Sequence, residues 1–179
     1  LMKNEHAYKI LNAFALNVIS AAKANLKKEK KDVTGKLSNS LTYQPSKTPT
    51  GFSLAFLMEQ YGEFQDKGVS GVKQKFDTPF SYKSKGGKRG LKGMPPPSAF
   101  DQWAVRKKGL KGIRDKKGRF LPRKITDFLL ARSVFLKGIK PSLFFTEPFE
   151  KYWNSLPEAF AENFAIDIEK NINEQLNKK

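Results

Sequence analysis

The chain has 179 residues and a mass of 20.3 kDa, and 39% of its residues are hydrophobic, so it is long enough for one domain with a real core. Its 34 Lys and Arg residues against 17 Asp and Glu residues give a net charge of +17 at pH 7, which indicates a polyanionic partner, most often nucleic acid. The absence of cysteine excludes disulfides, thiol catalysis and cysteine-based metal sites, and the single histidine excludes multi-histidine metal sites.

Hydropathy gives no indication of a membrane partner. No apolar run approaches the roughly 20 residues that span a bilayer, and the N-terminus lacks the compact apolar core of a signal peptide. We therefore expect a soluble product that is made in a cytoplasm.

The N-terminal region is predicted to be a helix from about residue 5 to residue 31. Ile10, Phe14 and Val18 recur at three- and four-residue spacing and form one apolar stripe. We favour a helix that packs on the domain core over a membrane-surface helix, because the charged residues cluster at its end rather than along a face. Thr34 is expected to cap a short turn after it.

The stretch from Gly51 to Phe64 is predicted to be a strand, since large apolar residues alternate with other residues there. The side chains expected on its buried face are Phe52, Leu54, Phe56 and Met58. Pro45 and Pro49 are expected to mark the turn before this strand. After turn residues from Asp66 to Gly71, a second short strand is predicted at Phe80 to Tyr82.

Two further helices are predicted in the second half of the chain. Ser98 is well placed as the N-cap of a helix from about Ala99 to Lys108, and Asp101 partly imitates a capping box. The next helix is predicted from about Arg123 to Lys137, with Gly138 as its C-terminal cap.

The C-terminal region is predicted to be an amphipathic helix. Its stripe steps by four residues along the chain and must pack against its own subunit or the next one. The stripe consists of Phe160, Phe164, Ile168, Ile172 and Leu176. Before it, Pro141 and Pro148 bracket the apolar segment Ser142 to Phe145, which is too short for a helix. Leu143 to Phe145 are expected to form a core strand rather than an interface. These elements predict one α+β domain over residues 1–179.

The positive charge is concentrated in two glycine-bearing loops at about 83–94 and 109–122. Residues 83–124 contain 15 Lys and Arg against Asp101 and Asp115, which is +13 of the total +17. Residues 150–179 contain 4 Lys against 6 acidic residues. Basic, glycine-rich chain binds phosphates by counterion release without reading sequence. The candidate nucleic-acid-binding residues are Lys83, Lys85, Lys88, Arg89, Lys92, Arg106, Lys107, Lys108, Lys111, Arg114, Lys116, Lys117 and Arg119.

Other roles for these loops stay open. They could be solvated loops that keep the protein in solution, or they could pair with an acidic surface on a partner subunit. Base-specific reading is not expected, because no predicted helix carries a dense face of cations.

The sequence contains few side chains whose arrangement indicates catalysis. His6 has no serine or cysteine nucleophile beside it in the sequence. Glu59, Glu63 and Asp66 with Lys67 could be imagined around a divalent ion in a nuclease, but their spacing matches no arrangement of this kind that we can defend. No Gly-Lys-Ser or Gly-Lys-Thr opens a helix, so a phosphate-binding ATPase loop is not supported. We therefore expect no enzyme activity, no metal and no cofactor.

Several short blocks occur in an order that resembles the neck or tail-completion proteins of tailed bacteriophages, the minor tail or head-to-tail connector family. The blocks are Thr34-Gly35-x-Leu37-x-x-Ser40-Leu41, Tyr61-Gly62-x-Phe64-x-Asp66-x-Gly68-Val69-Ser70-Gly71, Pro97-Ser98-Ala99-Phe100-Asp101-x-Trp103 with Lys108-Gly109, Leu130-Ala131-Arg132, Gly138-Ile139-Lys140-Pro141-Ser142-Leu143-Phe144-Phe145, and Pro148-Phe149-Glu150.

The resemblance implies a small α+β unit with a long N-terminal helix, a short antiparallel sheet, packed helices and a C-terminal amphipathic helix. It also implies a noncatalytic virion protein that forms a homo-oligomeric ring between the portal-side connector and the tail. The chain departs from shorter members of this family by its lysine-rich insert between Tyr82 and Pro95 and by its second basic loop. We expect those loops to contact packaged DNA nonspecifically. A nonspecific nucleic-acid-binding protein is the alternative, and a metal-dependent nuclease is a distant third.

Overall fold

Two groups of helices and strands build the fold in the computed structural model, which describes residues 5–31, 34–48, 51–87, 90–101 and 114–176. We call Leu1–Glu29, Leu37–Glu59 and Phe144–Lys179 the terminal unit, and Lys30–Lys36 with Gln60–Leu143 the central unit. The fold is α+β, as predicted, and none of the described helices is both long and apolar enough to cross a bilayer. The single-domain assignment stays a prediction.

The terminal unit begins with the long helix α1, Glu5–Lys28, which ends three residues before the predicted boundary. The short helix α2, Lys36–Ser40, follows. At its start the Thr34 hydroxyl accepts a hydrogen bond from the Lys36 N–H at 3.3 Å, which confirms the predicted cap.

An antiparallel pair of strands, β1 (Thr42–Thr48) and β2 (Gly51–Leu57), packs beside α1. The predicted alternation along β2 is confirmed, although its inward side chains are half-buried. Pro45 was expected in a turn, but it lies within β1 opposite Leu54. A two-stranded sheet has a free edge on each strand, where the missing N–H of proline costs no ladder hydrogen bond. Pro49 lies outside the described residues.

The terminal unit is completed by two helices near the C-terminus, α5 (Thr146–Trp153) and α6 (Leu156–Leu176). Helix α5 was not predicted, because Pro148 was expected to end the apolar segment before it. Proline fits the first turn of a helix, since the N–H groups there have no intrahelical acceptor. Helix α6 confirms the predicted C-terminal helix, and it packs along α1.

Two apolar clusters form the core of the terminal unit. In one, Leu26, Leu37 and Phe144 are fully or almost fully buried. In the other, Phe14 makes edge-to-face contacts with Phe56 and Phe149, with centroid distances of 6.1 and 5.8 Å. The core position predicted for Phe144 is therefore confirmed, but this residue lies in a turn and not in a strand.

The central unit begins with α3, Tyr61–Lys67, where the sequence predicted the end of a strand. That prediction was wrong at its C-terminal end, because the alternation of large apolar residues stops at Met58. Gly62 and Asp66, four residues apart, form the buried side of one helical turn, while Tyr61 and Phe64 are more than a third exposed.

A second small antiparallel pair lies after this helix: β3, Val69–Ser70, pairs with β4, Gly138–Ile139. Between them lie a 3₁₀ helix at Pro97–Phe100 and helix α4, Arg123–Lys137, whose bounds match the prediction. Gly138 ends α4 with φ +79°, and a Cβ there would overlap the backbone of Val69 and Gly71. Only glycine fits this position.

Two other predictions for this region were wrong. Phe80–Tyr82 is not a strand of its own, since only Ser81 forms an isolated bridge to Ser70. Ser98 was expected to precede a helix, but it lies inside the 3₁₀ helix, which begins after Pro96 without a side-chain cap. The Asp101 carboxylate pairs with Arg123. The predicted helix from Gln102 to Lys108 lies outside the described residues.

Candidate nucleic-acid interface

The positive charge of the chain divides sharply between the two units. The central unit contains 24 Lys and Arg against 7 Asp and Glu, which is the whole net charge of +17. The terminal unit contains 10 of each sign and is neutral. A polyanion is therefore attracted to one part of the chain, which contains both of the predicted basic loops.

The first basic loop, from Lys83 to Lys92, is closed by hydrogen bonds within itself. The Lys85 N–H donates to the Lys92 carbonyl at 2.8 Å, and the Lys92 N–H donates to the Gly86 carbonyl at 3.0 Å. The Ser84 hydroxyl donates to the carbonyl of Gly90 at 2.6 Å. The lysines that are described here, Lys83, Lys85 and Lys92, are exposed.

The described part of the second basic loop contains a hairpin formed by residues Arg114–Phe120, which we call the basic hairpin. Arg114 and Phe120 form an antiparallel bridge, and the Asp115 N–H donates to the Arg119 carbonyl at 2.8 Å. The Gly118 N–H donates to the Asp115 carbonyl at 3.0 Å and closes a four-residue turn. Gly118 has φ +79°, which suits the residue that follows a type I turn in a hairpin of this size.

The carboxylate of Asp115 lies at the centre of this turn. Its Oδ1 accepts hydrogen bonds from the N–H groups of Lys117 at 2.8 Å and Arg119 at 2.9 Å, and its Oδ2 accepts from Arg119 Nε at 3.1 Å. The pKa of Asp115 is held below its ordinary value, chiefly by the backbone N–H of Arg119. Desolvation opposes this shift, and hydrogen bonds from the Arg119 side chain and the Lys117 N–H add to it.

Arg114 is held in place by the other strand of the basic hairpin. Its guanidinium carbon lies 3.9 Å from the ring centroid of Phe120, and its Nη1 donates to the Gly118 carbonyl. Phe120 is 62% exposed, so this cation–π pair lies on the surface. By contrast, Lys116 and Lys117 are exposed and form no ion pair with any residue in the described part of the chain.

The structure describes seven of the thirteen predicted binding residues, and all seven are exposed. Lys88, Arg89, Arg106, Lys107, Lys108 and Lys111 lie outside the described residues. The sequence reasoning missed the roles of Asp115 and Phe120, since it counted the first as lost charge and did not consider the second. The signal for the turn was present, because Asp at the first position and Gly at the fourth are typical of a type I turn.

The structure describes all three acidic residues considered for a nuclease, Glu59, Glu63 and Asp66. The carboxylate of Glu63 pairs with Lys67 at 2.9 Å, and Asp66 is only 3% exposed. Within the described ranges, no group of three or more acidic or histidine side chains is placed to hold a metal ion.

The single histidine has a structural contact in the terminal unit. His6 Nδ1 lies 2.8 Å from Asp167 Oδ1, and the same carboxylate accepts the backbone N–H groups of His6 and Ala7. Asp167 therefore serves as a cap for the N-terminus of α1, supplied by a helix some 160 residues further along the chain.

Comparisons with known proteins add no relative. The sequence matches no protein-family model and no curated protein, and no solved structure matches the fold.

Proposed function

We propose that this chain is a noncatalytic structural protein of a bacteriophage virion, part of an oligomeric ring that joins the head connector to the tail. In that ring the central unit contacts DNA in the channel through its two basic loops. The proposal rests on the order of the sequence blocks and on one observation in particular, the restriction of the net charge of +17 to the central unit.

This separation of charge suits a protein with two tasks. A neutral unit can pack against neighbouring protein subunits without repelling identical copies of itself. A basic unit gains free energy from counterion release wherever it meets phosphates, and a ring repeats that contact once per subunit. Neither task requires base-specific contacts, since exposed lysines on loops bind the backbone of any sequence.

The DNA contact can be tested with two matched double variants. Lys116→Gln/Lys117→Gln removes two adjacent exposed charges from the central unit, and Lys27→Gln/Lys28→Gln removes two adjacent exposed charges from the terminal unit. If all five described lysines of the two loops contact phosphates, the slope of log K against log salt is about −4 to −5 for the unaltered protein. The first variant should reduce that slope by about 1.8, and the second should leave it unchanged.

Short duplex DNA and fluorescence anisotropy between about 50 and 200 mM salt suffice for this measurement. Equal effects of the two variants would contradict a contact through the central unit. The ring is tested separately, by native mass spectrometry and electron microscopy of the purified chain and of the particle that contains it. Discrete rings located at the head–tail junction are expected, and a chain that is absent from purified particles would contradict the proposal.

A nonspecific nucleic-acid-binding protein that acts outside a particle is the second candidate. The same separation of charge favours it, because it does not depend on a ring. This candidate predicts a monomer or dimer with the salt-dependent DNA binding described above and no association with head or tail proteins.

A further inference from the structure

We propose that the basic hairpin is a preorganised element that binds the phosphodiester backbone, and that Asp115 is the positioning residue which holds its cations in place. The inference rests on the proposed function. It also makes a prediction that charge alone does not: loss of this acidic side chain weakens binding to a polyanion.

Three donors converge on Asp115, two from the backbone at Lys117 and Arg119 and one from the Arg119 side chain. Two of the three belong to the strand that returns from the turn, so the carboxylate joins the first strand of the hairpin to the second. Without it, the turn keeps its backbone hydrogen bonds but loses the contacts that fix residues 117 to 119 against residue 115.

Lys116 and Lys117 occupy the two central positions of the turn, where they are exposed and free of ion pairs with described residues. Arg114 at the base of the turn rests on the Phe120 ring and uses Nη1 for the Gly118 carbonyl. A guanidinium fixed on an aromatic face can bind a phosphate with its remaining donors at a lower cost in side-chain entropy than a free arginine.

An acidic protein would also attract these cations, but its carboxylates must match the spacing of the turn. Double-stranded DNA presents one negative charge per roughly 1.7 Å along its axis, so a rigid cluster of cations finds phosphates in every register. A fixed hairpin on a unit that carries the entire net charge therefore fits a nucleic-acid backbone.

The experiment compares three variants that each remove one negative charge from the central unit. Asp115→Ala removes the charge and the hydrogen-bond acceptor. Asp115→Asn removes the same charge but keeps a side-chain oxygen that can accept from the backbone of the turn. Asp77→Ala is the control, since Asp77 is exposed and makes no hydrogen bond or ion pair with the residues that the structure describes.

We expect Asp115→Ala to weaken binding of short duplex DNA by about 3- to 10-fold, because the cations of the turn must be ordered on binding. Asp115→Asn should remain within about 2-fold of the unaltered protein or bind more tightly, and Asp77→Ala should bind as tightly or more tightly. Circular dichroism checks that all variants are folded. A general loss of structure would affect both Asp115 variants, whereas recovery in the asparagine variant is specific to the turn.

One result would overturn the inference while the proposed function stands: salt-dependent DNA binding in which Asp115→Ala binds at least as tightly as Asp77→Ala. Displacement of the DNA by poly-L-glutamate as efficiently as by unlabelled duplex would make an acidic protein the ligand, and it would contradict both the inference and the DNA contact of the proposed function. If the unaltered protein binds no DNA at low salt, the DNA contact of the proposed function fails first and the role of Asp115 fails with it.

Discussion

The stability of the terminal unit depends on the carboxylate of Asp167, and the variant Asp167→Asn tests this dependence. The side chain is 1% exposed, and its carboxylate accepts hydrogen bonds from the backbone N–H groups of His6 at 3.2 Å and Ala7 at 2.9 Å. It also lies 2.8 Å from His6 Nδ1. These N–H groups belong to the first turn of α1, where no intrahelical acceptor is available to them.

The expected loss of stability follows from these contacts. Hydrogen bonds to a charged group contribute roughly 1.5–3 kcal/mol, and loss of a helix cap costs about 1 kcal/mol. Asparagine keeps one acceptor oxygen but turns an NH₂ group toward the other donor, and it loses the favourable interaction with the helix dipole, which is worth about 0.3–1 kcal/mol. We therefore expect Asp167→Asn to lower the free energy of unfolding by about 2–3 kcal/mol at pH 7.

The loss should depend on pH. Desolvation raises the pKa of Asp167, but hydrogen bonds from the Ala7 N–H and from the side chain and N–H of His6, with the charge of His6, outweigh it, so the pKa is lowered on folding. A carboxyl with a lowered folded-state pKa stabilises the protein above the unfolded-state pKa. This stabilisation is lost as the pH falls below about 4 and through the folded-state pKa. The difference in free energy of unfolding between the unaltered protein and Asp167→Asn should therefore decrease as the pH falls below about 4.

Urea unfolding measured by the fluorescence of Trp153 tests this prediction. Trp153 stacks on Phe149 at a centroid distance of 5.5 Å within the terminal unit, and replacing Trp103 by phenylalanine leaves it as the only tryptophan. Glu169→Gln is the control, since it removes an exposed carboxylate from the same helix. The reasoning is refuted if Asp167→Asn costs no more than Glu169→Gln, or if its cost grows as the pH falls.

Two pairs of substitutions test the packing of the two units, one pair in each unit. Phe144→Ala should lower the free energy of unfolding by about 3–5 kcal/mol in the same urea assay, because the ring is 0% exposed in the core of the terminal unit. Leu16→Ala, at a 56% exposed position, should lower it by less than about 1 kcal/mol. Comparable losses for the two variants would contradict the burial of Phe144. In thermal unfolding, Gly138→Ala should lower the free energy of unfolding by about 3 kcal/mol and Gly118→Ala by about 1–2 kcal/mol. Both glycines have φ +79°, but only at Gly138 does backbone occupy the place of the Cβ. Equal losses would show that the close approach to Val69 and Gly71 is not limiting.

The sequence predicted those elements whose ends carry unambiguous signals. Helix α4 matches its predicted bounds because Pro122 and Gly138 flank it, and both act through their own backbone dihedral angles. Two of the errors also come from proline. Pro45 lies in a strand and Pro148 in the first turn of a helix, two places where the missing N–H has no acceptor to lose. Proline ends a helix or strand only at a position where a backbone N–H would donate a hydrogen bond. Whether it would donate one depends on the partner strand or on the position within the helix.

The site could be predicted in part. Counting charges found the basic loops, because net charge is a property of composition. The same count treated Asp115 and Asp167 as charges that reduce the positive excess, whereas in the structure each is the centre of a set of hydrogen bonds. The donors to Asp115 are two and four residues away, within reach of sequence reasoning. Those to Asp167 are some 160 residues away, and only the fold brings them together.

The boundary of the charged region also required the fold, and its position has an energetic consequence. The neutral unit combines both ends of the chain with residues 37–59, so no sequence window reveals its balance of 10 cations against 10 acids. Repulsion between like charges destabilises a compact state. The excess of positive charge lies in the central unit, whereas the terminal unit, which contains the aromatic core, has no net charge. A polyanion that neutralises the central unit removes this repulsion in addition to releasing counterions. Under the proposed function, the central unit is therefore more stable around DNA than in the free subunit, because a ligand that binds only the folded state adds its binding free energy to stability.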